Sequence, residues 1–158
     1  MRSSAQPVTH MEFEVECEAV FQRATALAHE SGHPAIQPHH LARAALESGQ
    51  IVRRLLNRCG SSPEQFIVSI EKHDFLAVLL PDRGGMTSSM SKLSSKAVKN
   101  AQAIASELDD AKVTPEHLFL GACNVGVMDF VLGEHNLTLS DLRESLAAVR
   151  RADRGSTD

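Results

Sequence analysis

Three histidines crowd one short stretch of the chain, His33, His39 and His40, with His29 and His10 as further imidazoles nearby. Imidazole is a common zinc ligand, so metal binding is the first chemistry to weigh. Two facts count against it. Adjacent residues on a helix point roughly 100° apart, and no cysteine or carboxylate lies at a recognised ligand spacing from the three. The expectation is therefore no metal and no cofactor. Nucleophilic catalysis has less support. Cys17, Cys59 and Cys123 fall on apolar faces, and no serine sits in a G-x-S-x-G turn. A G-x-x-x-x-G-K-S/T phosphate loop is absent from the sequence, which excludes nucleotide hydrolysis by that route. An enzyme is not expected, and a small metal-dependent hydrolase is the alternative that elemental analysis would separate. The remaining chemistry is acidic. Asp110 and Glu116 flank the start of a short helix opening at Pro115, where two carboxylates could attract a cationic group through charge-assisted hydrogen bonds. A carboxylate in a first helical turn also offsets the helix dipole without any ligand.

The elements that must position these residues are written twice. Ala24-Thr-Ala-Leu-Ala-His-Glu30 matches Ala101-Gln-Ala-Ile-Ala-Ser-Glu107, and Pro38-His39-His40-Leu41 matches Pro115-Glu116-His117-Leu118, both at an offset of 77 residues. Past a one-residue deletion, Leu56 meets Leu132 and Ser69 meets Ser145. Such self-similarity marks a duplicated supersecondary unit. The stripe Phe13, Cys17, Val20, Ala24, Leu27, Ser31 and its counterpart Met90, Ser94, Ala97, Ala101, Ile104, Leu108 each lie on one helical face. Gly32 is placed to end the first helix. Pro38 and Pro115 suit the first position of a short second helix, with Thr114 a good N-cap and Gln37 a poorer one. The segments 51–56 and 127–132 read as third helices. Fourth helices open at Ser62-Pro-Glu-Gln65, a capping-box pattern, and at Ser140-Asp-Leu-Arg143. The expected fold is all-α, two tandem four-helix repeats packed with pseudo-twofold symmetry. Repeat one spans about 12–75, a Gly- and Ser-rich linker about 76–91, and repeat two about 92–150. Residues 1–11 read as a flexible leader and 151–158 as a flexible, frayed tail.

Composition sets outer bounds. The chain has 158 residues, 42% hydrophobic and 23% charged, enough for one domain with a real core. A formal net charge of -4 gives no electrostatic case for nucleic acid. No apolar run is long enough to span a bilayer, and an odd number of cysteines without C-x-x-C spacing suits reduced thiols in the cytoplasm. Arg53, Arg54 and Arg58 form the main basic cluster, a solvated helix face or a contact for an acidic partner.

The stretches Gly32-His33-Pro-Ala-Ile-Gln-Pro-His-His-Leu41 and Val113-Thr-Pro-Glu-His-Leu-Phe-Leu-Gly121 resemble a motif of the Clp N-terminal domain. That domain is the double repeat at the front of ClpA-, ClpB- and ClpC-type unfoldases. Gly60-Ser-Ser-Pro-Glu-Gln-Phe66 and Asn136-Leu-Thr-Leu-Ser-Asp-Leu142 are similar to the start of its fourth helix, and the likeness covers roughly residues 12 to 150. It implies a docking module without a catalytic centre. Such a module captures unfolded substrates or adaptor proteins for a hexameric AAA+ ring, in cis or in trans; a free-standing regulator competing for adaptors is the alternative. The net charge and the lack of a long apolar run leave no nucleic acid and no membrane expected as partners. Among site residues, ClpB-type members carry acidic groups at the positions of Glu116 and Asp110. ClpC-type members use the glutamate of both repeats to hold a phosphorylated arginine. Here His39 replaces the first of those glutamates, so a cationic ligand is expected on the second repeat only. Glu14 stands where a ClpB-type patch has threonine, and Phe119 is a candidate for the apolar wall of a groove. His40 and His117 match the family's histidine and are expected in equivalent, largely buried structural roles beside Pro38 and Pro115.

Overall fold

The computed structural model describes residues 11–79 and 90–156. Eight helices form among them: α1 Glu16–Glu30, α2 Pro38–Ser48, α3 Gln50–Arg58, α4 Pro63–Leu79, α5 Lys92–Glu107, α6 Pro115–Ala122, α7 Met128–Glu134 and α8 Leu139–Ser156. No strand occurs among the described residues, only two isolated bridges. The bridges carry the symmetry. Phe13 pairs with Val113 and Ile36 with Met90, and the duplication offset exchanges one pair for the other. Their hydrogen bonds obey the same exchange, Glu14 N–H to the Val113 carbonyl at 2.8 Å and Ser91 N–H to the Ile36 carbonyl at 3.0 Å. Each first helix is thus pinned at its start to the loop before the other repeat's short helix.

The stripes bury as their spacing predicts. Cys17, Val20, Ala24 and Leu27 face the core from α1, and Ser94, Ala97, Ala101 and Ile104 from α5. The short helices α2 and α6 pack on each other at the centre, α3 packs on α8, and α4 on α7. The last two contacts are again exchanged by the duplication. One continuous apolar core results, running through both repeats, with Phe66 of α4 against Phe119 of α6 at a ring separation of 5.8 Å. Neither repeat could cover these faces alone, because each lends its third and fourth helices to its twin.

Helix ends follow from local chemistry. After α1, Gly32 adopts φ +77°, its N–H reaching the His29 carbonyl and the His33 N–H reaching Ala28 at 2.9 Å. After α5, Asp109 takes φ +60° and Asp110 N–H reaches Ala105 at 2.9 Å. Both are Schellman endings, in which a left-handed residue lets orphan carbonyls find donors. Ser62 Oγ accepts from Gln65 N–H at 3.3 Å as the capping pattern requires. The last helix starts two residues before the expected opening. Thr138 is its cap, exchanging bonds with Asp141 at 3.0 and 3.1 Å. Two expected boundaries shift: residues 76–79 continue α4 rather than beginning the linker, and α8 runs past residue 150 to Ser156, while α5 starts at residue 92 as expected, capped by Ser91 through Ser94 N–H. The rest of the linker and residues 1–10 lie outside the described residues.

Candidate functional site

Each repeat gathers four equivalent side chains at one corner. The first comes from the residue that completes the Schellman ending, the second and third from the first turn of the short helix, the fourth from the last helix. In repeat two they are Asp110, Glu116, His117 and Arg150; in repeat one, His33, His39, His40 and Asp74. Pro115 and Pro38 hold the first helical positions, where a missing N–H costs nothing. The third residue of each turn is histidine. Thr114 N–H donates to His117 Nδ1 at 2.8 Å, and Gln37 N–H donates to His40 Nδ1 at 2.9 Å. Imidazole here does what glutamate does in a capping box, accepting from the backbone donor of the N-cap. Both rings are buried, 0% exposed for His117 and 3% for His40. Because Nδ1 accepts, the proton of each neutral ring sits on Nε2.

In repeat two that Nε2–H donates to Asp110 at 2.7 Å, and Arg150 binds the same carboxylate at 2.8 Å while lying 3.5 Å from Glu116. Burial pushes the His117 pKa down, and the hydrogen bond and charge of Asp110 offset only part of that. The two carboxylates expected to await an external cation therefore already share one from their own chain. Asp110 takes both His117 and Arg150 on one oxygen, Oδ2. Glu116 lies between Arg150 on one side and an open groove on the other.

That groove holds about 320 Å³ and runs between the repeats, lined by Glu14, Glu16 and Ile51 from the first and Thr114, Pro115 and Glu116 from the second. Val15, 72% exposed, stands beside it. Two of the residues singled out from sequence, Glu14 and Glu116, are thus brought together from opposite halves. Phe119 is not among them. It is 0% exposed, its ring spent on the core against Phe66, so it offers no groove wall. Leu118 is equally buried, and Phe13 and Phe21 pack edge to face at 5.8 Å.

In repeat one, three imidazoles converge on Asp74. His39 Nε2 lies 2.5 Å from Oδ1, His33 Nε2 3.1 Å and His40 Nε2 3.5 Å. Burial lowers the pKa of His39 and brings His40 down to about 3, so both rings are neutral near pH 7. One potential ligand atom from each of these four residues lies within 4.8 Å of the others. Sequence reasoning missed Asp74 and Arg150. Extending the register of Ser69 and Ser145 by five residues would have paired them.

Fold and corner geometry together define a helical double-repeat domain whose halves exchange their outer helices. The family described as the Clp repeat (R) N-terminal domain matches residues 12–135, and the chain belongs to it. Chaperone protein ClpB of Mycobacterium leprae is 33% identical over 156 residues, 96% of this chain and 17% of that protein. ClpB of Bacteroides thetaiotaomicron is 22% identical over 144 residues, 90% of this chain and 16% of that protein. The chain spans about a sixth of the length of these curated relatives. In fold, it is similar to the Hsp104 N-terminal domain from Candida albicans, with a TM-score of 0.71 at 17% identity over 88% of this chain and 91% of that one. The N-terminal domain of the caseinolytic protease associated chaperone ClpD from Arabidopsis thaliana gives a TM-score of 0.62 at 12% identity, over 89% and 95% of the two chains. Among the described residues, no helix is long and apolar enough to cross a membrane.

Proposed function

We propose that the chain is a non-enzymatic docking domain that takes basic, extended segments of substrate or adaptor proteins on behalf of a Clp-type AAA+ ring. The observation that carries this reading is the groove shared by the repeats, whose lining combines the carboxylates of Glu14, Glu16 and Glu116 with the apolar side chains of Ile51 and Pro115. An extended peptide could lay aliphatic stems on that floor and bring arginine or lysine heads to the rim. Family membership supports the setting, and the acidic rim supports the chemistry of the partner. The internal ion pairs of Arg150 with Asp110 and Glu116 support a cationic partner for this corner.

Calorimetric titration with an arginine-rich peptide tests it. Glu116→Ala is expected to weaken binding by about 1–3 kcal/mol, because a charge-assisted bond at a mostly buried carboxylate is lost. Glu14→Gln is expected to act in the same direction, and His39→Gln to leave affinity unchanged. Equal affinity for wild type and both glutamate variants would remove the groove as the binding surface.

A further inference from the structure

The corner of repeat one has a donor problem that repeat two does not: His117 Nε2 finds Asp110, while the equivalent His40 Nε2 is buried without a partner. At four equivalent positions, repeat two sets two carboxylates and a histidine around a guanidinium. Repeat one sets three imidazoles around a carboxylate, and among the described residues no lysine or arginine pairs with Asp74. We propose that His33, His39 and Asp74 bind a divalent transition-metal ion of the zinc class, with His40 positioning the carboxylate instead of ligating. This inference does not rest on the docking groove.

Proton accounting leads there. His40 Nδ1 accepts from Gln37 N–H, so Nε2 carries the hydrogen and cannot ligate. That Nε2 is buried, has no hydrogen-bond partner, and points at Asp74 Oδ1 from 3.5 Å. His39 and His33 aim their own Nε2 atoms at the same oxygen. Asp74 Oδ1 faces three imidazole Nε2 atoms, and the His40 Nε2–H is left without a partner. With a metal, the hydrogens of His33 and His39 sit on Nδ1 and their Nε2 lone pairs ligate, Asp74 supplies one oxygen, and its other oxygen or a metal-bound water accepts from His40. His39 Nδ1 is buried without a partner in either tautomer.

The donor chemistry selects the ion. Two neutral imidazoles and a carboxylate form the mixed nitrogen and oxygen set that suits zinc and its neighbours, whereas calcium and magnesium favour all-oxygen sites. Ligand atoms of a tetrahedral site with bonds of about 2.0–2.1 Å lie roughly 3.3 Å apart. The 3.1 Å between His33 and Asp74 is close to that, and the 2.5 Å between His39 and Asp74 must open by under about 1 Å. Such opening has room. Asp74 is 26% exposed at its side chain and, with His39 and His40, lines a cleft of about 230 Å³ that gives an ion and a fourth, water ligand access. Arg43 also lines this cleft, but its charge is matched by Glu47 and Glu71, each at 2.9 Å. The sequence argument against a metal fails at two points. The carboxylate comes from α4, far along the chain, and the adjacent histidines divide the labour between ligand and support.

The test is titration of the whole chain, freed of metal by chelator, with Zn(II) by calorimetry and Co(II) by visible absorption. Wild type is expected to bind one equivalent, to show the intense bands of low-coordinate Co(II), and to gain thermal stability on loading. Asp74→Asn, at the partly exposed ligand, and His39→Gln are expected to lose both the uptake and the stabilisation. His40→Gln should weaken binding by about tenfold or more, as loss of an outer-shell support does. His29→Gln, at the exposed end of α1, should change nothing. Far-ultraviolet circular dichroism separates lost ligation from lost folding, and Asp74→Asn decides the matter if His39→Gln fails to fold. No stoichiometric uptake by wild type would overturn the proposal. So would equal affinity for wild type and a folded Asp74→Asn variant.

Discussion

At the same four positions, the two repeats meet one packing problem with different side chains. Repeat two uses Asp110, Glu116 and His117 and pairs the carboxylates with Arg150; repeat one uses His33, His39 and His40 and gathers them on Asp74. What they share is the histidine at the third helical position and the proline at the first, because both serve backbone geometry. What differs is everything that faces outward from that frame. The comparison teaches that a duplicated scaffold fixes where side chains meet and leaves their chemistry free. Sites with different ligands can therefore sit at symmetric corners of one domain.

The sharpest difference in packing lies between the first and second helices of each repeat. Gly121 of α6 approaches α5 so closely that an added Cβ would meet the Ala97 carbonyl at 2.4 Å and the Ala101 nitrogen at 2.7 Å. Its equivalent in repeat one, Ala44, is fully buried yet accommodates a methyl group. Gly121→Ala should therefore destabilise by about 1–3 kcal/mol, since the obstructing atoms are backbone and cannot turn away. Ala44→Gly should cost about 1 kcal/mol or less, the entropic penalty of glycine within a helix plus a small void. Denaturant midpoints compare the two. Equal losses would mean that the repeats pack alike and that the short approach in repeat two relaxes freely.

Arg150 is next in expected effect. Arg150→Ala leaves Glu116, which is 7% exposed, without its cation and Asp110 with His117 alone. Because the guanidinium is about one-quarter exposed, solvent shares the burden, and the loss should be about 1–2 kcal/mol, well short of a fully buried pair. Adding Glu116→Gln should recover part of it, which a double-mutant cycle in urea would read. The same Arg150→Ala variant should bind an arginine-rich peptide more tightly, because it frees the groove's inner carboxylate. Unchanged stability and unchanged peptide affinity together would show that Arg150 exchanges with solvent and governs neither property.

The helices and their order were legible because hydrophobic spacing and caps are local signals, repeated here in two registers. Pro38, Pro115, Gly32 and Ser62 act where their covalent chemistry leads one to expect. The corners were half legible. His40 and His117 could be read as structural because each bonds within three residues of itself. Asp74 and Arg150 were missed because they arrive from the fourth helix, 34 to 41 residues from the side chains they bond, and no short motif spans that distance. Phe119 was misplaced for the converse reason. A phenylalanine beside a candidate site looks like a surface in one dimension, and only packing against α4 shows that Phe66 claims it.

The smallest expected effect tests whether the two repeats differ in backbone strain. Both first helices end in a left-handed residue, Gly32 at φ +77° in repeat one and Asp109 at φ +60° in repeat two. Nothing lies within 4 Å of a Cβ built on Gly32, so Gly32→Ala would cost conformational energy alone, about 1 kcal/mol. Asp109 already bears that strain, moderated because aspartate tolerates the left-handed region better than alanine does. Replacing it with glycine should therefore raise stability by about 0.5 kcal/mol, the relief being partly offset by glycine's greater freedom in the unfolded chain. Asp109→Asn separates charge from conformation, since it keeps the backbone preference and removes the carboxylate. Thermal or urea unfolding of the three variants is sufficient. If Asp109→Gly destabilises as much as Gly32→Ala, the aspartate side chain contributes more to the helix end than its backbone costs. The two endings would then be alike in geometry and unlike in what holds them.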